Sequence, residues 1–261
     1  MKSRHAFKKD NMKKGIYILP NLFTTAGLFF GFYSIIASMN GHFEIAAVSI
    51  LAAAVLDALD GRIARITNTT SKFGAEYDSL SDLVAFGVAP ALMVYTWSLS
   101  SYGKWGWIVS FLFAVCGALR LARFNIQLGI IESKVFNGLP IPGAACTIAA
   151  TVLIYHKLGG QGRFDHVSMV IGVFVLALLM VSNIKYYSFK DLNYFARKPF
   201  TSLVMIILVL VVVIAEPQIM IFTFTVGYSL SGPLWSLYRL RHRQTAQEAD
   251  GEADEGIKEK S

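Results

Sequence analysis

Acidic side chains are scarce in this 261-residue chain: 17 Asp and Glu stand against 24 Lys and Arg. Much of that small number is set aside at the C-terminal end, in Glu248, Asp250, Glu252, Asp254, Glu255 and Glu259. Cysteine is nearly absent. Cys116 and Cys146 are too few for a disulfide framework and have no partners at metal-ligand spacing, so they read as small buried apolar side chains. The five histidines, at 5, 42, 156, 166 and 242, are too scattered to build a histidine metal centre. No polar stretch is long enough for a separate soluble domain, and no repeat of solenoid type is present.

What remains is strongly apolar. Hydrophobic residues make up 54% of the chain and the mean hydropathy is +0.51, which excludes an ordinary soluble domain of this length. The expected fold class is all-α, a polytopic membrane protein of about eight transmembrane helices. Apolar runs of spanning length fall near 18–39, 43–64, 75–98, 105–125, 142–158, 167–184, 200–215 and 218–238. Three domains follow: a basic N-terminal interfacial segment at 1–17, a transmembrane catalytic domain at 18–240 and a disordered acidic tail at 244–261. The alternative for the first segment is a basic leader without structure. The first apolar run lacks a small-x-small cleavage pattern and reads as a helix that stays.

Basic residues set the expected orientation. Lys2 to Lys14, Arg62, Arg65 and Lys72, Arg120, Arg123 and Lys134, Lys185 to Lys198, and Arg239 to Arg243 gather on one side of these spans. Lys104, Lys157 and Arg163 are the exceptions. The asymmetry puts both termini in the cytoplasm of an inner-membrane protein. The pI of about 9.4 then belongs to helix ends facing anionic membrane lipids, and no nucleic acid partner is implied.

Against this background four carboxylates stand out: Asp57-x2-Asp60-Gly61-x2-Ala64-Arg65-x8-Gly74-x3-Asp78-x3-Asp82. Asp57 and Asp60 are three apart on one helix, and Asp78 and Asp82 four apart on the next, so each pair shares a face. The basic turn between them makes the helices antiparallel neighbours and sets all four acids at similar depth. Each carboxylate in a membrane costs a few kcal/mol even on the mildest scale. Gathered acids call for a cation, and oxygen-only ligands suit Mg²⁺ or Mn²⁺ with a phosphate substrate. Gly61 and Ala64 leave room beside the acids, Arg65 offers a fork for phosphate, and Gly74 leaves room for a flat group. A proton or cation path through a transporter would also place acids in spans. Gly27-x3-Gly31 in the first span reads as close helix packing.

The whole pattern resembles the signature of the CDP-alcohol phosphatidyltransferase family, with each of its positions filled. The resemblance implies an integral membrane enzyme that displaces CMP from a CDP-linked donor with an acceptor hydroxyl. It implies Asp57, Asp60 and Asp78 as metal ligands and Asp82 as the general base, a ranking the residues alone do not provide. It also implies a homodimer.

Three further stretches are similar to the membrane-embedded phosphatidylserine synthase branch of that family: Ala118 to Asn125, Phe136 to Ala145, and Met180 to Lys190. That branch implies CDP-diacylglycerol and L-serine as substrates. Donor contacts are expected at Asn21, Thr24, Gly61, Ala64, Arg65 and Gly74, with Asn21 and Thr24 hydrogen-bonding phosphates. Serine is a zwitterion, and Arg120, Arg123, Asn125 and Lys190 are the candidates to meet it at the cytoplasmic face. Two alternatives remain open. One is the same reaction with glycerol 3-phosphate or an inositol phosphate as acceptor; the other is a cation-coupled transporter.

Overall fold

A computed structural model describes residues 2–67, 71–127, 135–187 and 215–236. For 2–19, 135–137, Arg65, Lys185 and Tyr187 it describes the backbone alone. The elements in order are α1 (Lys2–Met39), α2 (Phe43–Ile66), α3 (Lys72–Asp82), a π-helical stretch Leu83–Val88, α4 (Ala89–Trp97), a 3₁₀ turn Leu99–Tyr102 and α5 (Lys104–Gln127). They continue with β1 (Val135–Asn137), α6 (Ile141–Lys157), α7 (Val167–Val181) and β2 (Lys185–Tyr187), and a helical segment follows at 217–236. The chain is thus mostly helical, as its apolar runs predict.

Among the described residues, three helical stretches are long and apolar enough to cross a membrane: Pro20–Met39, Lys72–Trp97 and Lys104–Gln127. The helix α2 has a spanning length of 24 residues, but its second half carries Asp57, Asp60, Arg62 and Arg65. Val167–Val181 is apolar and shorter. The expected span at 200–215 (all but its last residue) and the tail at 244–261 lie outside the described residues. No break falls at the expected boundary after residue 17, because the α1 backbone is helical from Lys2 through Pro20 to Met39.

Two departures from the expected bundle have local causes. The span read as one helix over 75–98 changes register after Asp82, where Ala89 donates its N–H to the Val84 carbonyl, five residues back. Pro90 follows at once, and its missing N–H leaves the ordinary ladder one donor short. Second, the all-helical expectation misses β1 and β2, which pair antiparallel with Phe136 opposite Tyr186. The segments entering α6 and leaving α7 satisfy each other's backbone there. Gly138, at φ 81°, donates to the Ile184 carbonyl at 2.8 Å, and Leu139 donates to Leu179 at 3.0 Å.

The core runs through the middle of the bundle, with Ile50, Phe86, Met93, Trp97, Phe113 and Ile148 almost wholly buried. Small residues let the helices close on the π-helical stretch. A Cβ added to Gly31 would lie 2.6 Å from the Ala85 Cα, whereas one on Gly27 would have only an ordinary contact with the Ala53 carbonyl at 3.9 Å. Of the expected Gly-x3-Gly pair, Gly31 is the one that sets the approach of α1. This packing fixes α1, α2 and α3 side by side at the end where the acids lie.

Candidate metal and phosphate site

The helix α2 is apolar until Asp57 and then presents two acids on one face. The chain turns back, and Ser71 starts α3 by accepting a hydrogen bond from the Gly74 N–H at 2.9 Å. This cap aims Asp78 at Asp57 and Asp60. One carboxylate oxygen from each of the three lies within 4.8 Å of the others. Asp82 sits a turn further along, and together with these three it borders a small inner cavity of about 10 Å³. Carboxylates this close in a low-dielectric setting repel one another strongly. Among the described residues Arg120 is the one buried basic side chain, so most of the neutralising charge has to come from a ligand. An all-oxygen donor set of this size fits a hard divalent cation.

An outer cleft of about 190 Å³ opens above the acids. Its walls include Asn21, Thr24, Gly61, Ala64 and Gly74, together with Asp60 and Asp78. Five of the six residues expected to contact a donor therefore line one space. Arg65, the sixth, lies on α2 one turn beyond Gly61, and its side chain is not among those described. Gly74 is needed for the shape: a Cβ there would stand 3.1 Å from Ser71 Oγ and 3.4 Å from Asn21 Oδ1.

The four residues expected on the acceptor side are not brought together. Arg120 is 8% exposed and its Nε has no hydrogen-bond partner. Arg123 faces away, donating from Nη2 to Asn183 Oδ1 at 2.6 Å and from Nη1 to the Val181 carbonyl at 3.4 Å. Asn125 donates to Ser79 Oγ at 2.9 Å, tying α5 to α3. Lys190 lies outside the described residues. The three stretches that mark the branch do converge: Arg123 reaches Asn183, and Gly138 pairs with Ile184.

Some residues at the site escaped the sequence reading. Ser81 donates to the Thr24 carbonyl at 3.1 Å, and its only signal was a hydroxyl inside an apolar span between two of the acids. Tyr77 shares a 2.9 Å hydrogen bond with Thr25. Tyr228 comes from the last described helix, and no motif pointed to it. It packs by its ring against Tyr186, whose hydroxyl donates to the Ser229 carbonyl at 3.0 Å.

Comparison with known proteins agrees with this geometry. The chain is 44% identical over 182 residues to a CDP-diacylglycerol–serine O-phosphatidyltransferase of Helicobacter pylori, covering 69% of this chain and 76% of the relative. It is 36% identical over 170 residues to an archaetidylserine synthase of Methanothermobacter thermautotrophicus, covering 64% and 69%. A CDP-diacylglycerol–serine O-phosphatidyltransferase of Mycobacterium bovis is 38% identical over 160 residues, 58% of this chain and 55% of that protein. Residues 17–181, which hold all four acids and the walls of the cleft, match the CDP-alcohol phosphatidyltransferase family, and the chain belongs to it.

Proposed function

We propose that this membrane enzyme is a phosphatidylserine synthase, transferring the phosphatidyl group of CDP-diacylglycerol to the hydroxyl of L-serine and releasing CMP. The observation that carries the reading is the Asp57, Asp60 and Asp78 triad, with one carboxylate oxygen of each within 4.8 Å of the others, opening on a cleft in a chain 44% identical to a CDP-diacylglycerol–serine O-phosphatidyltransferase.

The donor's acyl chains stay in the bilayer and its pyrophosphate enters the cleft. Gly61, Ala64 and Gly74 leave space for the nucleotide, while Asn21 and Arg65 hold its phosphates. Asp57, Asp60 and Asp78 would hold the divalent cation, Mg²⁺ or Mn²⁺, that the family generally requires, and that ion supplies positive charge to the phosphates and to departing CMP. On this reading the serine carboxylate is met by Arg120 and its hydroxyl by Asp82. Asp82 takes the hydroxyl proton as the oxygen–phosphorus bond forms and the bond to CMP breaks. Arg123 and Asn125 have protein partners in Asn183 and Ser79. On this reading they hold α5 in place, and Lys190 is the remaining candidate to meet serine directly.

The wider reading places eight spans in the inner membrane, with both termini and the acid cluster at the cytoplasmic face. Support comes from the basic residues at the acid end, among them Arg62, Lys72 and Arg123. The basic N-terminal segment at 1–17, continuous with α1, reaches the anionic headgroups where α1 leaves the membrane, and 244–261 is a separate acidic tail. The family resemblance adds a homodimer, which sizing in detergent tests.

The deciding experiment supplies purified protein with CDP-diacylglycerol, Mg²⁺ or Mn²⁺, and one acceptor at a time. L-serine should release CMP, while glycerol 3-phosphate and inositol phosphate should not. CMP release with a phosphorylated acceptor alone would reassign the acceptor within the family. No CMP release with any alcohol would remove the transferase reading.

A further inference from the structure

The Thr24 hydroxyl is spoken for. Thr24 is 5% exposed and lies within 2.9 Å of Asp60 Oδ2 and 3.2 Å of the Pro20 carbonyl. A hydroxyl carries one proton, and a bond to a carboxylate is the shorter and stronger choice. With that proton on Asp60, only lone pairs remain, and these repel a phosphate oxygen. Thr24 also stands where two spaces meet, lining both the outer cleft and the inner cavity among the acids. Its own backbone is fixed in turn, because Ser81, 4% exposed, donates from α3 to the Thr24 carbonyl at 3.1 Å. The Asp60 carboxylate of α2 is thus held by α1, and α1 is held by α3 between Asp78 and Asp82.

We infer that Thr24 is a positioning residue for the metal site: it orients the Asp60 carboxylate through their hydrogen bond and does not bind the donor's phosphates. The inference rests on Asp60 as a metal ligand and is indifferent to which alcohol accepts.

The test is equilibrium binding of Mn²⁺ to the purified full chain in detergent, without substrates, alongside the CDP-diacylglycerol KM at saturating Mn²⁺. Thr24→Val should weaken Mn²⁺ about 10-fold, the lower end of what loss of a ligand's hydrogen-bond partner does. Thr24→Ser keeps the hydroxyl and should restore binding to near the wild-type value. In an Asp60→Asn background, Thr24→Val should change Mn²⁺ affinity no further, because the two residues act as a pair. The donor KM at saturating Mn²⁺ should stay close to wild type. Unchanged Mn²⁺ affinity with a raised donor KM would overturn the inference and return Thr24 to the phosphates. If the Val variant fails to fold, Thr24→Ala removes the same hydroxyl without added volume, and unchanged Mn²⁺ affinity in it overturns the inference equally. Wild-type Mn²⁺ affinity in Asp60→Asn would instead take Asp60 out of the ligand set, and the inference would fall with that reading.

Discussion

At one end of the bundle Asp57, Asp60, Asp78 and Asp82 crowd around a cleft. At the other end Trp97 is wholly buried against the rings of Tyr155 and Phe164, with centroids 5.4 and 5.6 Å away. There most polar groups are matched, Ser100 Oγ and His156 Nε2 being buried without a partner. Trp97 donates its Nε1 proton to the Gly162 carbonyl at 3.1 Å, Ser98 donates to the Phe164 carbonyl at 2.6 Å, and Phe164 donates its N–H back to the Trp97 carbonyl at 3.1 Å. His156 lies 3.3 Å from Glu44 and Lys157 pairs with Glu216 at the rim. The aromatic end closes on itself and gains from burying large rings, most of whose polar neighbours are hydrogen-bonded. The acidic end gathers like charges whose burial opposes folding unless something positive arrives. Stability and chemistry are thus set at opposite ends of the same helices, so substitutions at the two ends should fail in different assays.

The largest expected effects fall on turnover at the acidic end. Asp82→Asn should lower the rate of CMP release by about 10²–10⁴, the usual worth of a positioned base, with Mn²⁺ and donor affinity nearly intact. Asp78→Asn should weaken both affinities as well as the rate. Measuring all three quantities on each variant sharpens the contrast. If Asp82→Asn loses Mn²⁺ as badly as Asp78→Asn, Asp82 is a ligand and the base lies elsewhere.

Trp97→Ala should act through stability alone. Emptying so large a buried site costs about 3–5 kcal/mol, read as a lowered melting temperature in detergent. Below that temperature Mn²⁺ affinity should match wild type. A shifted Mn²⁺ affinity in folded Trp97→Ala would break the separation of the two ends.

Arg120 and Arg123 carry the comparison to a single helix. Arg120→Ala should raise the serine KM about 10- to 100-fold, as loss of a hydrogen bond to a charged group does, with the donor KM little changed. Arg123→Ala should lower the melting temperature and leave the serine KM near wild type, because its partners are Asn183 and the Val181 carbonyl. Equal KM changes in the two variants would contradict the split.

The smallest effect belongs to the α3 cap. Ser71→Ala should destabilise by about 1 kcal/mol. Because Ser71 also walls the cleft, a modest rise in donor KM should accompany it, seen by titrating CDP-diacylglycerol.

The acid cluster was legible because charge is so rare in the spans that spacing alone put Asp57, Asp60 and Asp78 on facing helices. Gly61, Ala64 and Gly74 were legible as missing bulk. Direction was less so. Arg120 and Arg123, three apart, share a face on a helical wheel, yet packing turns Arg123 to Asn183 beyond α7 and buries Arg120 with its Nε unpartnered. The tie of Thr24 to Asp60 spans 36 positions of sequence and left no local signal. The pairing of β1 with β2 joins segments of three residues each across the whole of α6 and α7, too short for any period to register. The π-helical stretch after Asp82 left only Pro90 as a trace.

The most direct test follows labelled L-serine into lipid. Purified protein, CDP-diacylglycerol and Mn²⁺ should move the label into the organic phase in a one-to-one ratio with released CMP. Chelator should stop both and added Mn²⁺ should restore them. Label that stays in water while CMP is released, or transfer that persists after exhaustive chelation, would contradict the account.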